Sequence, residues 1–179
     1  MKKTLFIVFV IIGLISCNNE VKNQTVTIDN KYSMELPDYL TKNTKLNAEA
    51  SLQYMNGIKE LYIVVVEMPI SGFSQILKSN DLTEDYKNNL EDYSTFCVDY
   101  FKESVDVTYV SDPKETTING LPAILFTVKA KISGYTAYYH FTYIQGKENY
   151  YQILTWTLDS KKDEQKENME AMINSFKEI

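Results

Sequence analysis

The chain contains one histidine, His140, and it alternates with Tyr138 and Thr142 on one side of an extended run. Imidazole changes charge near neutral pH and is a common metal ligand, so a general base or a metal site is the first chemistry to weigh. A zinc site needs further cysteine, histidine or carboxylate ligands at matched spacing. None accompanies His140, which reads as a hydrogen-bonded structural residue, and no metal is expected. Cys97 could act as a nucleophile activated by His140. It lies beside Tyr93 and Phe101 on an apolar helical face, and a buried thiol keeps its proton and is inert. The carboxylates Glu84, Asp85, Glu91, Asp92, Asp99 and Glu103 fall mainly off that face and read as a solvated surface. No Asp-x-Asp-x-Asp-Gly calcium loop is present. Nor is there a glycine-rich phosphate loop, a Gly-x-Ser-x-Gly elbow or a His-Glu-x-x-His pair. No catalytic residue and no cofactor are expected, and the chain reads as a non-enzyme.

A second kind of chemistry is stacking. Tyr135, Tyr138, Tyr139, Tyr143, Tyr150, Tyr151 and Trp156 crowd into one stretch. Exposed aromatic faces bind sugar rings, and Tyr138, His140, Tyr151 and Trp156 are the candidate ligand-binding residues for a glycan or a small apolar molecule. The competing reading divides the aromatics between the core and cross-strand pairs, which aromatic residues favour in sheets.

A third lies at the start. Lys2 and Lys3 precede an almost unbroken apolar run from Leu5 to Ile15. The run is too short for a bilayer-spanning helix, which needs about 20 residues, and a charged start before a short apolar stretch marks an export signal. Leu14-Ile15-Ser16-Cys17 stands where a small-x-small cleavage site would be and resembles the bacterial lipobox. The expectation is a signal peptide over 1–16, a lipidated Cys17, a tether over 17–24 and a single domain over 25–179. Two or more acyl chains anchor a protein where one does not. Position 18 is Asn rather than the aspartate used for inner-membrane retention, which favours the outer membrane of a Gram-negative envelope.

Composition narrows the partners. Without Lys2 and Lys3, 16 lysines face 24 acidic residues, a formal net charge of −8, and arginine is absent. An acidic chain repels nucleic acid and anionic lipid, and base or phosphate capture by a planar guanidinium fork is unavailable to it. No nucleic-acid partner is expected. With Cys17 acylated only Cys97 remains, so no internal disulfide forms and the fold must rest on its core. From Cys17 onward 163 residues remain, enough for one sizeable core.

The elements that would position these residues follow from periodicity and turn chemistry. Thr25–Ile28 and Tyr32–Leu36 read as strands around Asp29-Asn30, and Pro37 ends the second. Ser51–Asn56 and Glu60–Met68 read as a hairpin around Asn56-Gly57. Leu61–Val66 is apolar on both faces, as in a central strand covered on both sides. Thr83–Ser104 is expected to be a long helix capped by Thr83, with Tyr86, Leu90, Tyr93, Cys97, Tyr100 and Phe101 on its apolar face. A strand over Val105–Val110 follows, then Leu121–Ile132, Tyr135–Ile144 and Tyr150–Leu158, joined by short turns and hence antiparallel. A last helix should begin at Ser160 with Asp163 as a capping pair and bury Met169, Met172, Ile173 and Phe176. The fold class is α+β, with the helices expected on opposite faces of the sheet.

Tyr32-Ser33-Met34-Glu35-Leu36-Pro37 resembles the opening strand of the PsbP-like family, which includes DcrB-type bacterial lipoproteins. Ile118-Asn119-Gly120-Leu121-Pro122-Ala123 resembles its Gly-x-Pro strand entry. The tyrosine-rich hairpin to Trp156 and the Ile173-Asn174-Ser175-Phe176-Lys177 ending resemble its C-terminal half. The resemblance implies an α/β/α sandwich around a mostly antiparallel sheet. It implies no reaction, since fold alone does not set function. Its members act through surfaces, so the expected role is protein binding or scaffolding by a lipid-anchored envelope protein.

Overall fold

Alternation of β-branched and aromatic residues with polar ones runs through most of the chain, and strands dominate accordingly. The computed structural model describes residues 22–179; the expected signal peptide and Cys17 lie outside the described residues. β1 (Asn23–Ile28) and β2 (Tyr32–Pro37) form a hairpin whose turn residues Asp29 and Asn30 both adopt positive φ. β1 begins two residues before the expected strand. A short β3 (Thr41–Lys42) precedes the hairpin of β4 (Ala50–Asn56) and β5 (Leu61–Pro69). That connection is not the tight Asn56-Gly57 turn expected from the dipeptide. Asn56 still pairs with Leu61, and its side-chain oxygen accepts from the backbone N–H groups of Ile58 and Lys59. Its amide donates to the Tyr39 carbonyl at 2.9 Å. The asparagine is thus spent on holding a longer loop.

Two helices occupy mid-chain. α1 (Ile70–Ser79), which sequence reasoning missed, starts directly after Pro69 and buries Phe73 and Leu77. α2 (Leu90–Ser104) is shorter than expected. Thr83 does not cap it; Asn89 does, its side chain accepting from the Asp92 N–H at 2.7 Å. An asparagine just before Leu90 competes better than a threonine far upstream because the cap must reach the first free N–H groups. Leu90, Tyr93, Ser94 and Val98 are buried, whereas Tyr100 is exposed.

β6 (Asp106–Val110), β7 (Lys114–Ile118), β8 (Leu121–Ile132), β9 (Tyr135–Gln145) and β10 (Asn149–Leu158) follow. The β8–β10 bounds lie within a residue of those expected. A short 3₁₀ turn at Asp159–Lys161 leads into α3 (Lys162–Asn174), which lacks the expected side-chain cap. β11 (Lys177–Glu178) closes the chain on β2.

The main sheet runs β3-β4-β5-β10-β9-β8-β6, with β7 also paired to β8. Every pairing is antiparallel. Period-two alternation sends neighbouring residues to opposite faces. One face, with Leu61, Ile63, Val65 and Ile153, packs on Met169, Met172, Ile173 and Phe176 and on the small β1-β2-β11 sheet. The other, with Phe126, Phe141, Tyr143 and Tyr150, packs on Phe73, Leu90, Tyr93 and Val98 of α1 and α2. The architecture is therefore an α+β sandwich with helices on both faces, as the periodicity of β5 demanded. Each fully buried large apolar side chain contributes about 1.5–3 kcal/mol.

Candidate functional site

The expected ligand residues separate along the strand alternation. On β9, Tyr138, His140, Thr142 and Ile144 face α3, while Tyr139, Phe141 and Tyr143 face α2. On β10, Tyr151, Ile153 and Thr155 point toward α3, and Tyr150, Leu154 and Trp156 the other way. Tyr138 and His140 therefore share a surface, Trp156 lies across the sheet from them, and Tyr151 sits deeper in the core.

Tyr138 and His140 floor a cleft of about 540 Å³ between α3 and the β7 end of the sheet. Lys166 and Glu170 of α3 form one wall, and Asp112, Lys114 and Thr116 the other. Tyr138 Oη and His140 Nε2 share a hydrogen bond at 3.0 Å. Burial holds the imidazole below its ordinary pKa; the Glu170 carboxylate opposes this, and the Lys166 ammonium adds to it. His140 is thus a neutral imidazole at neutral pH. Behind it, Thr127 and Thr155 sit directly opposite on β8 and β10. The hydroxyls of Thr142, Thr155 and Thr157 are buried and find no hydrogen-bond partner among the described residues.

The walls were invisible to sequence reasoning. Lys166 and Glu170 stand one helical turn apart and approach to 4.0 Å, a spacing that signals only a surface pair. Lys114 and Thr116 belong to β7, whose first four residues are all exposed and carry no apolar alternation.

Trp156 belongs to a second, mostly apolar hollow of about 230 Å³ on the α2 face. Its indole stacks on Tyr62 with ring centroids 5.1 Å apart and planes 6° from parallel, and Tyr139 lies 5.8 Å away. Ile132 and Tyr135 complete the wall and are 40% and 67% exposed. Tyr62 donates to Glu60 Oε2 at 2.9 Å, and burial raises its phenol pKa to about 12, helped by that carboxylate. Only the Tyr62–Trp156 register of β5 and β10 brings these residues together.

Tyr151 is fully enclosed. Its ring meets Tyr32 edge-on at 5.5 Å and Phe176 at 4.8 Å, and its hydroxyl donates to Glu178 Oε1 at 3.2 Å. Gly146 abuts this corner. A Cβ there would press into the Glu178 carboxylate and the Tyr151 ring.

Cys97 lies on α2, against the sheet face opposite His140. No thiolate–imidazole pair can form across the sheet. Burial pushes the Cys97 thiol up to about 12, partly offset by a hydrogen bond with Tyr93. Among the described residues no group of three or more histidine, cysteine, aspartate or glutamate side chains is placed to hold a metal. No described helix is long and apolar enough to cross a membrane.

No protein-family model matches this chain, and no curated protein matches its sequence. Solved structures do resemble it. The cyanobacterial PsbP (CyanoP) of Synechocystis sp. PCC 6803 aligns with a TM-score of 0.60 at 9% identity, covering 94% of this chain and 99% of its own. LpqN of Mycobacterium tuberculosis, described as involved in cell envelope biogenesis, aligns at 0.55 and 10% identity, covering 89% and 92%. The Saccharomyces cerevisiae Ran-binding protein Mog1p aligns at 0.54 and 12% identity, covering 88% and 96%. At such identities the likeness establishes the fold, and this chain has the PsbP/Mog1-like fold.

Proposed function

We propose that the chain is a non-enzymatic lipoprotein of the cell envelope that binds or scaffolds another protein. In this reading residues 1–16 are removed, Cys17 carries the acyl chains, and the domain, whose first strand begins at Asn23 rather than after a tether reaching residue 24, stands at an outer-membrane surface. The cleft carries the proposal. Small-molecule pockets enclose their ligand with mostly apolar walls. This cleft instead sets Lys114 and Lys166 beside Asp112 and Glu170, with an edge strand as its rim. Among the described residues β7 pairs with β8 alone, and a free strand edge accepts an extended segment of a partner. Two of the fold's relatives support a surface role: one is described as Ran-binding, the other as involved in envelope biogenesis.

The test places a photo-crosslinking residue at Thr116 in the cleft and, as control, at the exposed Thr95 on α2, in cells making the full chain. A defined adduct at Thr116 alone is expected. No adduct above background, or equal adducts at both positions, would remove the support. Cys17→Ser should abolish lipid labelling and leave an uncleaved chain.

The second reading, a glycan or small apolar ligand, draws on the hollow at Trp156, where an indole and three tyrosines meet. The sole tryptophan makes it self-reporting. A sugar panel that leaves the emission unchanged would end that reading.

A further inference from the structure

The described chain starts at Lys22, and contacts fix which end of the sheet that is. The Lys22 carbonyl accepts from the Asp38 N–H at 2.8 Å. The neighbouring Tyr39 carbonyl accepts from Asn56, and the Lys59 ammonium sits 4.8 Å from the Tyr39 ring. Lys22 therefore lies at the end that carries the β4–β5 loop. The same end holds the β8–β9 turn, because Trp156 pairs with Tyr62 on one side and Tyr139 on the other.

This end is apolar where it should be wet. Ile58, at the tip of the β4–β5 loop, is 90% exposed. Ile132 and Tyr135 flank the β8–β9 turn in the open, and Tyr62 and Trp156 lie half-buried between. Tyr62, Ile132, Tyr135 and Trp156 line one hollow, and Ile58 stands at the same end of the sheet; monomeric proteins rarely expose a large apolar patch without a partner. Of the carboxylates at this end, Glu60 is engaged by Tyr62 and Asp159 by Lys129 at 2.9 Å, while Asp106, opposite Lys131 in the register, stays exposed at the margin. Exposed Lys59 and Lys131 stand at the margins. Tyrosine and tryptophan between aliphatic tips and lysines is the composition that favours the headgroup boundary of a bilayer.

We infer that this end docks on the membrane that holds the lipid anchor, with Ile58, Ile132 and Tyr135 entering the interface and Trp156 close behind. The inference rests on the proposed acylation of Cys17. Five residue steps separate Cys17 from Lys22, a reach of at most about 18 Å, so the anchor cannot lie far from this end of the sheet. The occupant is the bilayer surface rather than a protein, because the acyl chains supply it at close range. Docking is driven by apolar contact, since an acidic chain gains nothing from anionic headgroups. The cleft at His140, which opens along the β7 rim, stays available to a partner.

The test uses the full acylated chain reconstituted into phosphatidylcholine vesicles, with and without brominated acyl chains. Side chains docked at an interface sit about 5–10 Å into the headgroup and acyl boundary, and Trp156 just behind them should lose a clear fraction of its emission to bromine. The exposed-site variants Ile132→Glu and Tyr135→Glu, which leave the core untouched, should restore the unquenched signal while the protein still floats with the vesicles. Flotation without quenching of the unaltered chain overturns the docking and leaves the anchor standing. A chain that neither floats nor shows an acylated cysteine by mass spectrometry overturns both. A response to soluble glycans with no bromine effect also overturns the docking.

Discussion

Tyr138 and His140 stand two residues apart on β9, and their side chains meet at 3.0 Å on the floor of the cleft, away from Cys97. The pair is held by burial and a shared hydrogen bond, with Glu170 and Lys166 facing it from α3. The arrangement keeps the imidazole neutral and sets the Cys97 thiol on the opposite face of the sheet.

A pH dependence follows. An unfolded histidine titrates at about 6.5, and burial lowers the folded value. Between the two values the unfolded chain binds more protons, so stability rises with pH there. The contribution is complete above the unfolded value and declines as pH falls toward the folded one. His140 is the only histidine, so its ring proton in a ¹H NMR titration reports the group alone. The midpoint should fall below 6.5, and one at or above it would mean a solvated or carboxylate-paired ring.

The unpartnered hydroxyl of Thr155 predicts a stabilising substitution. The side chain is fully buried, opposite His140 and Ile63. Thr155→Val keeps the shape and removes a desolvated polar group, whose cost is about 1–3 kcal/mol. Urea unfolding should show a higher midpoint with an unchanged slope. A lower midpoint would show that the hydroxyl has a partner.

Cys97 should resist thiol reagents. With its pKa pushed to about 12 by burial, almost no thiolate exists near neutral pH, and the thiolate is the reacting form. Labelling of the folded protein should be slow and labelling in denaturant fast. Comparable rates would contradict the packing of α2.

The cap of α2 can be tested by two alanines. Asn89→Ala removes the acceptor for the Asp92 N–H and should cost about 1 kcal/mol. Thr83→Ala, at an exposed position outside the helix, should lie within about 0.5 kcal/mol of the unaltered protein. Thermal unfolding of the two variants separates them.

Strand placement was legible wherever alternation ran long. β8, β9 and β10 are ten residues or more and bounded by Ser133-Gly134 and Gln145–Glu148, so periodicity and turns agree. α1 escaped because its ten residues run straight on from β5 after Pro69, with no side-chain cap to mark the start. β7 escaped because an edge strand needs no apolar face. In the site, the Tyr138–His140 spacing was readable since strand neighbours two apart share a face. The grouping of Trp156 and Tyr151 with them was not, because each strand's register decides which face its residues reach.

By itself the sequence determined the fold class and the alternation of the long strands, and it raised the expectations of an acylated Cys17 and of no catalytic motif. These are local properties, carried by periodicity, turn residues and short motifs. Only the tertiary structure decided that α3 and β7 build walls around His140, that Tyr62 meets Trp156, and that Ile58 shares an end of the sheet with Lys22. Those juxtapositions come from pairing between strands far apart in the chain, where no local pattern marks which residues will touch.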